Sequence, residues 1–146
     1  MKIPMCHTQG TNRHLKAYWI ATILGPGSFI IGGIMFLTHA DRLVLAMDHM
    51  GLSPDLLTIV GVWNILGAMV CIAPNMLLLK EWAYAGFIFE LTGSAALHAL
   101  AGDPLFSFGP NMIAPPLLFL VPVIASYLLR PSARRLLIPY IRTPNG

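Results

Sequence analysis

Residues 80–104 read KEWAYAGFIFELTGSAALHALAGDP, and how this stretch is read decides the fold. It opens on the charged pair Lys80–Glu81 and the aromatic Trp82, and closes on Gly102-Asp103-Pro104. Between them run about twenty mostly apolar residues, enough to cross a bilayer core at roughly 1.5 Å per residue. Glu90 falls near the middle of the run and His98 near its far end. A soluble helix would place such a carboxylate on a wet face. In a membrane the group must face protein or a water-filled cavity, because exposure to lipid costs at least a few kcal/mol.

The rest of the chain supports the membrane reading. Of 146 residues, 56% are hydrophobic and only 10% charged, far from the balance of a soluble domain. Apart from Glu90, the windows Ala17–His39, Leu56–Leu79, Trp82–Gly102 and Pro104–Leu129 contain no Asp, Glu, Lys or Arg. Each is about the length of a transmembrane helix. The expected fold is therefore all-α, a polytopic bundle of four transmembrane helices. Residues 1–16 and 131–146 form cytoplasmic tails, the second of them basic, and residues 17–130 form the membrane domain.

The net charge of +3 does not mark a nucleic-acid surface, because the bases sit at the ends of the spans. Lys2, Arg13, Lys16, Lys80, Arg130, Arg134, Arg135 and Arg142 fall on one side, and only Arg42 on the other. That asymmetry predicts cytoplasmic termini. Cys6 and Cys71 lie far apart in sequence without a C-x-x-C, so neither a structural disulfide nor a dithiol relay is expected.

Within the first span, Gly25-Pro26-Gly27 predicts a kink, and Ser28 with Gly32 a close helix contact. Arg42–Met50 reads as a short amphipathic helix on the outer surface, ended by Gly51, with Ser53-Pro54 starting the second span. Pro74-Asn75 marks the inner turn. Pro115-Pro116 suits the start of the last span, which ends at Leu129. Gly86, Glu90, Gly93 and Leu97 share one face of the third span, expected to be the packed face, with Glu90 opposite Asn64.

GVWNILGA (61–68), Ala73-Pro74, LKEWAYAGF (79–87), LTG (91–93), His98, Gly102-Asp103 and YLLRP (127–131) together resemble the DoxX-like family of small bacterial membrane proteins. The resemblance implies four transmembrane helices and a role beside quinone-linked membrane redox chemistry, as a subunit that is not an enzyme on its own. It departs at two positions. Members often carry a lysine near the end of the first span and another after the Trp of the second, where this chain has Phe36 and Asn64.

The candidate polar intramembrane site comprises Glu90, His98, Asn64 and Trp63, with His39 and Asp103 as secondary candidates. Imidazole can hydrogen-bond a quinone carbonyl, and a buried carboxylate can hold a proton or a ligand. Quinone is the cofactor the resemblance implies. No metal site is expected, since no ligand motif is present. Expected partners are the lipid bilayer, other membrane redox subunits and further copies of the chain; nucleic acid is not among them. A small-solute transporter or channel and a structural partner of other membrane proteins are the alternative readings.

Overall fold

The computed structural model describes residues 8–106, 113–131 and 134. Cys6, residues 107–112 of the fourth apolar window and most of the basic tail lie outside them. Among the described residues every regular element is helical: α1 (Thr8–Thr22), a π-helical turn (Ile23–Gly27), α2 (Ser28–Leu37), α3 (Asp41–His49), α4 (Asp55–Ile72), α5 (Leu77–Leu100) and α6 (Ala114–Leu129). The all-α expectation holds, and α1 begins inside the segment read as an N-terminal tail.

The first rod carries the expected irregularity in a specific form. Pro26 has no N–H to give and crowds the preceding turn. The helix absorbs this as the π turn Ile23–Gly27 and continues into α2. Ser28 Oγ donates to the Gly25 carbonyl at 2.7 Å, tying the first turn of α2 back to the bulge. A Cβ on Gly25 would lie 2.8 Å from the Pro122 backbone, so the bulge packs tightly onto α6.

The close contact with α4 is made one residue away from the expected one. Gly33, not Gly32, approaches α4: a Cβ there would lie 2.8 Å from the Gly61 carbonyl, and a Cβ on Gly61 would lie 2.9 Å from that of Gly33. Gly32 has open space in that direction. The Ser28–Gly32 spacing shows where a neighbour could come close, but in an apolar helix it does not fix which face the neighbour takes.

The helices pack α1 on α6, α2 on α4, α4 on α5 and α5 on α6, closing a ring. Its core is Phe29, Ala68, Cys71, Tyr84, Phe87, Leu91 and Val123, with the Phe29 and Phe87 rings 4.2 Å apart. Gly51 ends α3 at φ 69°, and Asn75 makes the α4–α5 turn at φ 61°, both as the turn signals imply. The outer surface is apolar; Phe89 and Trp82 are 75% and 72% exposed.

Two helices, Arg13–Leu37 and Asp55–Ile72, are long and apolar enough to cross a bilayer, each with mean hydropathy 1.9. α5 has 24 residues but includes Lys80, Glu81 and Glu90, and α6 has only 16. At 1.5 Å per residue α6 covers roughly 24 Å, less than a ~30 Å hydrocarbon core.

Candidate functional site

Asn64 lies on α4 one turn before Gly67, whose missing side chain admits the Phe87 ring of α5; a Cβ there would sit 2.9 Å from that ring. The close approach brings α5 within reach of the amide. Asn64 Nδ2 donates to Glu90 Oε1 at 2.9 Å. Asn64 is 3% exposed and Glu90 half-buried. The sequence-predicted facing of these two residues is what the fold contains.

The face carrying Glu90 differs from expectation. α5 buries Tyr84, Phe87, Leu91, Ala95 and His98, whereas Gly86 and Gly93 face open space and Leu97 is 37% exposed. Glu90 therefore stands at the edge of the buried face, beside α4. Two apolar grooves meet at the pair. One, of about 650 Å³, runs between α4 and α5 and is walled by Trp63, Trp82 and Phe89. The other, of about 490 Å³, reaches the pair from the side of α2 and α6. Trp63 is 69% exposed, so it is a groove wall and not an interior contact.

His98 and Asp103 form a second cluster at the far end of α5. His98 Nδ1 donates to Asp103 Oδ2 at 2.7 Å, and His49 Nε2 to Oδ1 at 2.9 Å. Asp103 and His98 side chains are 7% and 10% exposed, His49 40%. The bond from His98, then that from His49, holds the Asp103 carboxyl below the usual carboxylate range, against some loss of hydration. His49 was not singled out in the sequence; its place in the last turn of the amphipathic α3 was the available signal. His39 pairs elsewhere, with Thr58 Oγ1 at 3.0 Å. Eight residues of helix, roughly 12 Å, separate Glu90 from His98, so they belong to two sites.

At the opposite end lies a buried network that sequence reasoning missed. Thr22 spends its only O–H on the Tyr18 carbonyl at 2.8 Å, so Ser126 donates to Thr22 and Tyr84 to Ser126, each at 2.7 Å. Arg130 bonds Glu81 at 2.7 Å, with its guanidinium carbon 4.4 Å from the Tyr127 ring centroid. Lys80, fully buried, donates to the Ala73 carbonyl at the C-terminus of α4. Hydroxyls at 22, 84 and 126 carry no pattern that betrays a shared interior. The bases were readable only as orientation charges.

Among the described residues no cluster of three or more His, Cys, Asp or Glu side chains is arranged to hold a metal ion. The sequence model of the DoxX-like family matches residues 20–126, most of the chain. No curated protein and no solved structure gives a significant match.

Proposed function

Since the chain belongs to the DoxX-like family, we propose that it is a four-span protein of the bacterial cytoplasmic membrane that serves quinone-linked redox chemistry as a non-catalytic accessory subunit. The apolar outer surface supports lipid as the surroundings, since a soluble chain would not leave Phe89, Trp82 and Ile31 so exposed. α5 crosses with its polar groups turned to α4 and α6. The short α6 is matched by local thinning or by its flanking residues. The eight-to-one split of bases supports cytoplasmic termini. Further copies of the chain or redox subunits are its membrane partners.

The observation that carries the ligand assignment is the Asn64–Glu90 bond at the meeting of two apolar grooves. A quinone needs an apolar slot for ring and tail and a donor for a carbonyl oxygen. Asn64 has a second amide proton beyond the one given to Glu90, and Glu90 holds the amide in orientation. Aromatic walls at Trp63 and Phe89 suit a flat ring. The quinone supplies the electron chemistry when bound; these residues bind and orient it.

A structural reading has its own support, because the 2.9 Å bond to Glu90 Oε1 clamps α4 to α5. A solute route through the bundle is disfavoured, since Phe29, Phe87, Leu91 and Val123 fill the middle. Organic extraction and mass spectrometry of gently purified protein tests the proposal. Co-purifying quinone supports it, and its consistent absence favours the structural role.

A further inference from the structure

Positive charge is in excess where α4 ends. Lys80 and Arg130 are 0% and 4% exposed there, and Arg134 stands half-buried beside them. Of the chain's six acidic residues only Glu81 lies at this end; Asp41, Asp48, Asp55 and Asp103 are at the other, and Glu90 is between. Arg134 has its guanidinium carbon 4.8 Å from the Trp19 ring centroid, and its Nη1 donates to the Ile72 carbonyl at 3.3 Å and, weakly, to Tyr18 Oη at 3.4 Å. Both bonds leave from Nη1; among the described residues Nε and Nη2 have no acceptor.

Trp19 and Ile72 also form the near end of an apolar groove of about 550 Å³, which continues past Ile23 and Gly27 to Ile31 and Phe119. Trp19 to Ile31 is twelve residues of helix, roughly 18 Å, close to the depth of one leaflet of a ~30 Å core. The groove is open to the surroundings, with Ile23 and Ile31 65% and 67% exposed. A leaflet-long apolar slot with a guanidinium at its cytoplasmic end has the polarity of one phospholipid.

We propose that this groove holds an acyl chain of an anionic phospholipid whose phosphate is bound by Arg134. The proposal rests on the membrane-spanning reading and on the inward orientation of this end. A guanidinium pairs with phosphate through two parallel N–H bonds, and the two bonds from Nη1 leave Nε and Nη2 for them. Glu81 offsets Arg130, and Lys80 stays behind the site as buried positive charge, biasing it against zwitterionic headgroups. Trp19, at headgroup depth, packs beside the glycerol level.

Trp19 reports occupancy directly. In full-length Trp63→Phe/Trp82→Phe protein, Trp19 is the only tryptophan, and both replaced side chains are largely exposed. Reconstituted in phosphatidylcholine bilayers, Trp19 is expected to be quenched more by phosphatidylglycerol with brominated chains than by brominated phosphatidylcholine at equal mole fraction. The expected preference at low occupancy is roughly fivefold, the factor one basic side chain gives near a charged lipid. Arg134→Gln should abolish it and Arg134→Lys retain part of it. Unbrominated phosphatidylglycerol should relieve the quenching, an arm that needs no change at Arg134. Equal quenching by both lipids, or an unchanged preference in Arg134→Gln, overturns the lipid site. Protein keeping only Trp63 separates the two failures: if Trp63 is quenched by both lipids, only the lipid site is wrong, and if it is not, the membrane reading falls as well.

Discussion

Asn64 on α4 and Glu90 on α5 are joined by a 2.9 Å hydrogen bond in which the amide donates to the carboxyl oxygen. Glu90→Gln keeps a donor and an acceptor in place, so the bundle should remain folded. Glu90→Leu removes the bond and should lower stability by roughly 1–2 kcal/mol. Denaturant unfolding in detergent micelles checks both, and equal losses in the two variants would contradict this account of the bond.

The glycines of α2 separate in the same assay. Gly33→Ala places a methyl against the Gly61 carbonyl and should destabilise by about 1–3 kcal/mol. Gly32→Ala, facing open space, should be silent. The reverse order would mean that the helix is rotated from the arrangement described.

Asp103 makes stability depend on pH. Its carboxyl pKa is held down, first by the hydrogen bond from His98, so its contribution is fully present above the unfolded carboxylate value of about 3.9. That contribution falls as pH drops from there through the lowered folded value. Melting curves between neutral and strongly acidic buffer should show this loss in the parent protein and a smaller one in Asp103→Asn. Identical pH profiles would show that the His98–Asp103–His49 tie contributes nothing.

Topology is tested with reporter fusions. Fusions at either terminus should report the cytoplasm, and insertions at Asp48 or Asp103 the exterior. An exported C-terminus would contradict the orientation drawn from the bases.

How much of this could be read from sequence divides by the physics. The helices, the turn at Pro74-Asn75, the stop at Gly51 and the meeting of Asn64 with Glu90 follow from hydropathy, turn chemistry and depth, which are local properties. The buried face of α5 does not. An apolar helix has little contrast between lipid and protein sides, so Gly86 and Gly93 suggested an interface that Tyr84, Phe87 and Leu91 occupy instead. The same lack of contrast in α2 hides the contact at Gly33, where the small pair Ser28 and Gly32 had pointed to the next position. The link of His49 to Asp103 spans 54 residues, and nothing local signals it.

The ligand assignment is tested most directly by the quinone content of three gently purified proteins: the parent, Glu90→Leu, which removes the acceptor that orients the Asn64 amide, and Asn64→Leu. The account predicts quinone in the parent and, in folded samples of both variants, its loss or a weakening of roughly tenfold, the upper range for one hydrogen bond. No quinone in the parent, or equal amounts in all three, would contradict it.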